Sequence, residues 1–145
     1  MIINSLNQQI IDAMKAHDEV RVSTLKMLST EIHNYQIDHP EMSEAEELSV
    51  IKKEAKKRKD SMEAFTKADL IDRVKSEEKE LKILQEFLPA EVSNADLQKF
   101  VDEAMSESSA KDIKDMGRVI GLVMAKSKGN ADGGKVAQLV KQKLA

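Results

Sequence analysis

The sequence has no cysteine and no tryptophan, and only two of its 145 residues are proline. Without cysteine, the chain has neither disulfides nor a thiolate that could act as nucleophile or ligand. The remaining aromatic residues are three phenylalanines and one tyrosine, so the core has to be built from leucine, isoleucine, valine, methionine and alanine. This choice of residues is typical of helical bundles.

Long apolar segments are absent as well. No stretch of about 18 apolar residues occurs, and the first residues lack the basic and apolar regions of a signal peptide. We therefore expect a cytoplasmic protein without a membrane anchor. His17, His33 and His39 have no partner at the i, i+4 spacing of a helical metal site, so neither a metal nor another cofactor is predicted.

Glycine and charge are both distributed unevenly along the chain. All five glycines lie in the last 29 residues. Residues 1–117 contain 17 lysines and arginines against 25 acidic residues, whereas residues 118–145 contain six against one. The basic C-terminal segment either attracts phosphates or an acidic partner, or forms a solvated helix face.

Apolar residues recur at steps of three and four through the first half of the chain and predict four helices. Asn4 or Ser5 is expected to cap the first helix. The second helix should end near Asp38, before the first proline. Ser43 and Glu46 have the spacing of a capping box, which marks the start of the third helix. The apolar stripe of the first helix is Leu6, Ile10, Ile11 and Met14.

Two charged residues interrupt the apolar stripes of the third and fourth helices. Arg58 and Glu77 lie about nine residues on either side of a weak break near residues 67–69, so an antiparallel hairpin would bring them to one level. We hypothesise that they form an interhelical ion pair. Because the break contains neither glycine nor proline, a single helix from Ser43 to Phe87 is the alternative.

The densest basic run of the chain spans residues 52–59. One interpretation is a surface that faces nucleic acid. The other is the solvated side of a helix, with the lysines paired to acids such as Glu46, Glu47 and Asp60.

Pro89 divides the chain, because the residue before a proline is driven out of the α-helical region. We predict an N-terminal domain over residues 1–89 and a C-terminal domain over residues 90–145. Ser93 should cap the first helix of the C-terminal domain. The predicted fold class is all-α, with a four-helix part made of helical hairpins followed by a small three-helix bundle.

The first two glycines lie on one face of the sixth predicted helix. This helix is expected from about Lys111 to Ser127, and it carries Gly117 and Gly121 at the i, i+4 spacing. A glycine inside a helix costs about 1 kcal/mol relative to alanine. The pair therefore indicates either close helix packing or the approach of a ligand or an RNA backbone.

The remaining glycines lie in a turn and at the start of the seventh helix. Gly129 is suited to a left-handed helix end, and Asp132 is suited to cap the last helix, which Gly133 opens. Free amides at this start, beside Lys128 and Lys135, offer a place for one phosphate.

Several segments of the sequence resemble the GatB/YqeY family, and most closely its free-standing YqeY members of bacteria. The resemblance covers nearly the whole chain. The sequence departs from the family pattern at Asn130, where an arginine is usual, and at Gly134, which is an added glycine. Loss of the arginine weakens a phosphate contact at this turn. The matching segments are Gln85-Glu86-Phe87-Leu88-Pro89, Asp115-Met116-Gly117-Arg118-Val119-Ile120-Gly121, Gly129-Asn130-Ala131-Asp132-Gly133, residues 21–28 and residues 57–65.

The resemblance implies an all-helical protein related to the tail of the B subunit of the glutamine-dependent aspartyl/glutamyl-tRNA amidotransferase. That tail helps to hold tRNA, and other domains of the enzyme, to which the resemblance does not extend, carry out amide transfer. Members of the family are often labelled as carbon–nitrogen ligases with glutamine as amide donor. We interpret this label as inherited from the B subunit of the amidotransferase. No catalytic residue is predicted, because the chain has no cysteine and its serines lie mainly at caps and linkers.

Two main classes of function follow from these patterns. The first is a non-catalytic protein that binds structured RNA, with tRNA as the first candidate, through shape and phosphate contacts. The second is an adaptor whose N-terminal helices dock a partner protein; a third, accessory role would support a tRNA-dependent amidotransferase. The candidate RNA-binding residues are Arg118, Lys126, Lys128, Asn130, Lys135, Lys141 and Lys143.

Overall fold

The computed structural model describes all 145 residues and contains seven α-helices and no strand, which confirms the all-α class. A single 3-10 turn, Ile113–Asp115, precedes the sixth helix. None of the helices combines the length and the apolar character needed to cross a membrane. The helices are α1 (Ile3–Lys15), α2 (Glu19–Asp38), α3 (Glu44–Lys67), α4 (Ile71–Gln85), α5 (Asn94–Ser108), α6 (Met116–Lys126) and α7 (Gly133–Leu144).

The chain divides into two compact units, Met1–Leu88 and Pro89–Ala145. Each unit has an apolar core of its own, and the two cores share no residue. Helices α1 to α4 belong to the first unit, and helices α5 to α7 belong to the second.

In the first unit, α2 lies at the centre of the packing. It contacts α1, α3 and α4, while α3 and α4 form the most extensive helix pair. The side chains of this core are aliphatic, as the scarcity of aromatic residues predicts. Its buried members are Leu6, Leu25, Leu28, Ile32, Met42, Ile51, Ala55, Leu81 and Leu84.

Helix α1 begins earlier than predicted, and its cap comes from a distant residue. Ile2 is the N-cap and has no capping side chain. Instead, the carboxylate of Glu47 accepts hydrogen bonds from the backbone amides of Ile2, at 2.9 Å, and Ile3, at 2.7 Å. The prediction of Asn4 or Ser5 as the cap was therefore wrong, because a buried carboxylate already satisfies these amides.

The apolar stripe predicted for α1 is also only partly buried. Leu6 is fully buried and Ile10 packs against the core, but Ile11 and Met14 remain 45% and 54% exposed. Ala13 is buried in their place. The helix thus packs through a narrower face than its sequence pattern indicates.

Helix α3 begins with the predicted capping box. The amide of Glu46 donates to the Ser43 hydroxyl, and the amide of Ser43 donates to the Glu46 carboxylate at 2.7 Å. This second bond is the main reason that the pKa of Glu46 lies below its usual value. Tyr35 of α2 also donates its hydroxyl to Glu46, at 3.3 Å, and so ties the capping box to α2.

Only part of the basic run on α3 is paired as expected. Lys56 lies 3.6 Å from Asp60, which was a predicted partner. Lys57 pairs instead with the buried carboxylate of Glu54, at 2.8 Å. Glu46 and Glu47 accept hydrogen bonds from backbone amides.

Helices α3 and α4 form a hairpin, so the alternative of one continuous helix is wrong. The chain turns after Lys67 through Asp69, whose φ of 58° is left-handed. The hairpin brings the Arg58 Nη1 atom to 3.6 Å from Glu77 Oε2. The Arg58 Nε atom is closer still to Glu80 Oε2, at 3.1 Å, a partner that the sequence pattern did not indicate.

In the second unit, α5, α6 and α7 each contact the other two around a small aliphatic core. Ser93 caps α5 as predicted, accepting from the Asp96 amide at 3.2 Å. The buried members of this core are Leu97, Val101, Ala104, Val119, Val123, Ala131, Val136, Val140 and Leu144.

Helix α6 is shorter than predicted, because its expected start near Lys111 is taken up by other structure. The carboxylate of Asp112 caps the 3-10 turn, accepting from the Lys114 amide at 2.9 Å. The carboxylate of Asp115 accepts from the Lys111 amide at 3.0 Å. These side chains offer the backbone an alternative to α-helix, which delays the helix to Met116.

Candidate functional site

One face of α6 consists of small residues and is open to solvent. Gly117, Gly121 and Ala125 are all exposed, and their i, i+4 spacing aligns them along one side of the helix. A Cβ atom added to Gly117 or Gly121 would meet no other atom within 4 Å. Of the two interpretations of this pair, close packing between helices is therefore wrong. We call these three residues the glycine face.

The opposite face of α6 fixes the orientation of the helix. Val119 and Val123 are fully buried in the core of the second unit, and Ser127 is buried directly after the helix. Because these residues anchor one side, the glycine face is held outward by the packing of α6 and does not depend on a flexible loop.

Cationic side chains border the glycine face. Arg118 is 58% exposed and contacts Asp115, with its Nη2 atom 2.8 Å from the Asp115 Oδ1 atom. The pKa of Asp115 lies below its usual value, chiefly because its carboxylate accepts the Lys111 amide. Arg118 therefore pairs with Asp115 at the surface and keeps much of its side chain open to solvent.

Three of the predicted RNA-binding lysines are exposed and have no ion-pair partner: Lys128, Lys135 and Lys141. Lys128 lies three residues after Ala125, the last residue of the glycine face, and has a left-handed φ of 54°. Lys135 lies in the first turn of α7, and Lys141 lies in its last turn. These ammonium groups are available to an anion in solution.

The turn between α6 and α7 is closed by backbone bonds and by one carboxylate. Gly129 is left-handed, with a φ of 74°, and its amide donates to the Met124 carbonyl at 2.9 Å. The carbonyl of Asn130 accepts from the Val92 amide at 3.2 Å, which links the turn to the segment before α5. Both bonds fix the backbone on which Lys128 is carried.

The start of α7 is occupied by the protein's own carboxylate. Asp132 Oδ1 accepts from the amides of Gly134, at 2.9 Å, and Lys135, at 3.4 Å. The expectation that these amides are free to hold a phosphate was therefore wrong. Gly133 is exposed in the first turn of the helix, where it has ordinary helical backbone.

Two other predicted cations are paired with acidic residues of α5. Lys126 Nζ lies 2.7 Å from Glu107 and 3.5 Å from Glu103, and the Lys126 side chain is only 23% exposed. Lys143 forms an ion pair with Asp102. Sequence reasoning missed these partners because they lie up to 41 residues away along the chain. The i, i+4 spacing of Glu103 and Glu107 on one helix face was the available signal.

The acidic residues of the second unit nearly balance its basic residues. Residues 89–145 contain nine lysines and arginines against eight acidic residues. The strongly basic segment that the sequence shows after residue 117 is therefore largely compensated within its own unit, and only part of its positive charge faces outward.

The first unit has a groove of about 230 Å³ between α1 and the start of α2. It contains carboxylates but no histidine, serine or lysine. Arg21, at its edge, is held at 2.8 Å by Glu86, the residue directly after α4. No group of three histidine, aspartate or glutamate side chains in the molecule is arranged to hold a metal ion. The groove is lined by Gln9, Asp12, Ala13, Ala16, Asp18 and Arg21.

Fold and surface together define an all-helical protein of two compact units, with a solvent-facing glycine face and exposed lysines in the second unit. Residues 3–144 match the family described as Yqey-like protein, and the chain belongs to this family. The resemblance read from the sequence motifs is thereby confirmed. A similar curated protein is an uncharacterized protein of Schizosaccharomyces pombe, 34% identical over 90 residues that cover 61% of this chain and 73% of that protein.

Proposed function

We propose that this protein binds the sugar–phosphate backbone of structured RNA, with tRNA as the first candidate, and does not catalyse a reaction. The single observation that carries the proposal is the glycine face of α6, which is exposed and where a Cβ atom added to Gly117 or Gly121 would meet no other atom within 4 Å. The contact surface would comprise this face, Arg118 and the unpaired lysines that follow it.

The energetic argument concerns Gly121, in the middle of α6. A glycine in a helix interior costs about 1 kcal/mol relative to alanine, and here no neighbouring atom requires the absence of a side chain. An intermolecular contact supplies the missing reason, because a helix surface without side chains lets another backbone approach closely. Phosphates at that distance would lie within reach of Arg118 and Lys128.

Recognition by shape fits the aromatic content of the second unit. Its one aromatic residue, Phe100, is packed against the apolar core. Single-stranded RNA is usually read by stacking its bases on exposed aromatic rings, whereas folded RNA is read through its backbone and shape. We therefore propose a folded RNA as the ligand.

The proposal is tested by measuring tRNA binding over a range of salt concentrations. Lys128→Gln/Lys135→Gln/Lys141→Gln should weaken binding at least tenfold at low salt. It should also reduce the slope of log K against log salt by about 0.7–0.9 for each lost phosphate contact. The matched control, Lys53→Gln/Lys75→Gln/Lys79→Gln, removes three exposed, unpaired lysines of the first unit. Equal loss in both variants, or no binding by the native protein, would contradict the proposal.

A second variant separates the glycine face from the charge. Gly121→Gln keeps every cation but adds a side chain to the face, and it should weaken tRNA binding while leaving the thermal midpoint unchanged or higher. Ala64→Gln, on the exposed side of α3, is the control for an added surface glutamine. Native affinity in Gly121→Gln would mean that RNA does not contact this face.

A protein adaptor is the second candidate function, and one observation favours it. Ile11 and Met14 lie one turn apart on α1 and are about half exposed, so the first unit presents apolar surface. Capture of partners with and without RNase separates the two candidates, because protein partners survive digestion of RNA. An accessory role in amide transfer would appear as a changed rate of amidation of Glu-tRNA when this protein is added.

A further inference from the structure

We propose that α5 restrains the RNA-binding surface by acting as an internal competitor for its cations. The carboxylates of Asp102, Glu103 and Glu107, which we call the α5 acidic edge, hold Lys126 and Lys143 away from an external polyanion. This inference rests on the proposed function and specifies how binding at that surface is limited.

Lys126 is the more firmly held of the two lysines. It sits between two carboxylates that are one helical turn apart, and the hydrogen bond to Glu107 raises the pKa of its ammonium group. Lys126 lies eight residues beyond Arg118 on α6, which places the two side chains about 80° apart around the helix axis. Once released from the α5 acidic edge, Lys126 would add a second cation to α6, about two turns beyond Arg118.

Lys143 gives the acidic edge a second attachment, on α7. Its ammonium group pairs with Asp102, and the lysine remains 36% exposed. One helix therefore neutralises one cation from each of the two helices that it packs against.

These ion pairs are not needed to dock α5. Leu97, Val101 and Ala104 already anchor the helix in the apolar core of the second unit. Exposed ion pairs contribute little to stability, because water screens the charges and two long side chains must be ordered. Their main effect is thus on the availability of the two lysines. Because the pairs are weak, their removal should change RNA affinity only several-fold.

The test compares two triple variants that each remove three carboxylates from exposed ion pairs. Asp102→Asn/Glu103→Gln/Glu107→Gln frees Lys126 and Lys143. The matched control, Asp60→Asn/Glu63→Gln/Glu78→Gln, frees Lys56, Lys67 and Lys82 of the first unit and changes the net charge equally. We expect the α5 variant to bind tRNA roughly 3- to 10-fold more tightly than the control variant, with a steeper salt dependence from two added phosphate contacts.

A second pair of variants leaves α5 intact. Lys126→Gln/Lys143→Gln in the native background should change tRNA affinity less than twofold, since these lysines are already held. The same two changes in the α5 variant should remove its gain. A large loss in the native background would overturn the inference, because the lysines would then be free to bind RNA.

The remaining outcomes distinguish this inference from the proposed function. If the native protein binds tRNA and both triple variants gain equally, the α5 acidic edge has no specific role and the inference fails while the function stands. If none of the proteins binds tRNA, both fail. If only the α5 variant binds, the restraint is confirmed in its strongest form.

Discussion

At the scale of single residues, Glu47 is a buried carboxylate that caps a helix other than its own. It is 1% exposed, lies on α3, and caps α1 through two backbone amides. The first amides of a helix have no partner within the helix, and a buried carboxylate satisfies them while interacting favourably with the positive end of the helix dipole. One side chain therefore joins two elements that are 45 residues apart in sequence.

We predict that Glu47→Gln lowers the free energy of unfolding by about 1–3 kcal/mol. A glutamine accepts through only one oxygen, and its amide group faces a second backbone donor, so one hydrogen bond is lost and one unfavourable contact is made. Urea unfolding followed by circular dichroism measures the change. Glu41→Gln, at an exposed residue of the turn before α3, is the control. Native stability in Glu47→Gln would show that the amides find water instead.

Glu46 and Glu47 show which structural roles of a residue can be predicted from the sequence. The capping role of Glu46 was predictable, because its partner, Ser43, is three residues away and the motif has a fixed spacing. Glu47 belongs to the same acidic run, but its partners depend on how α1 packs. Local bonds follow from local sequence, whereas a bond between distant elements requires the tertiary structure.

At the scale of elements, one arginine and two glutamates link the two helices of the α3–α4 hairpin. The side chains of Arg58, Glu77 and Glu80 are between 19% and 26% exposed, so all three charges are largely removed from water. Desolvation offsets much of their attraction, but loss of one partner leaves like charges unpaired in the interface.

We therefore predict that Arg58→Met destabilises the protein by about 1–3 kcal/mol, and that adding Glu77→Leu and Glu80→Leu restores most of this loss. A thermodynamic cycle of thermal or urea unfolding measures the couplings. The Arg58–Glu80 coupling should exceed the Arg58–Glu77 coupling, because the first pair is closer, at 3.1 Å against 3.6 Å. Zero coupling for both pairs would mean that solvent screens the cluster fully.

The elements of the chain were predictable to different degrees. The apolar spacing and the capping motifs identified α2 and the start of α3, since both signals are local. The start of α6 was not predictable, because Asp112 and Asp115 bind nearby amides and replace the first helical turn. At the candidate site, the lysines could be named from the sequence, but the pairing of Lys126 and Lys143 with α5 could not.

At the scale of the whole molecule, the two units differ in charge as well as in core. The first unit holds 14 lysines and arginines against 18 acidic residues, and the second holds nine against eight. A polyanion is therefore repelled by the net charge of the first unit. In the proposed function, this difference favours the second unit as the part that would contact RNA.

We predict that residues 1–88 fold when expressed without the second unit, because their core is complete within that range. Residues 89–145 should also fold but only with marginal stability, about 3–5 kcal/mol or less, as expected for a small core. Circular dichroism during urea unfolding of each fragment measures this. A non-cooperative transition for residues 1–88 would show that its core depends on the rest of the chain.

Four bends of this backbone adopt left-handed conformation at residues other than glycine: His17, Asp69, Ser109 and Lys128. Such bends strain an ordinary side chain, and glycine would relieve them. Meanwhile Gly121 occupies plain helix, where alanine would serve stability better. An engineer seeking only heat resistance would place glycine at these bends and alanine at Gly121. The stabilised variant would then lose part of the surface on α6 that has no side chains.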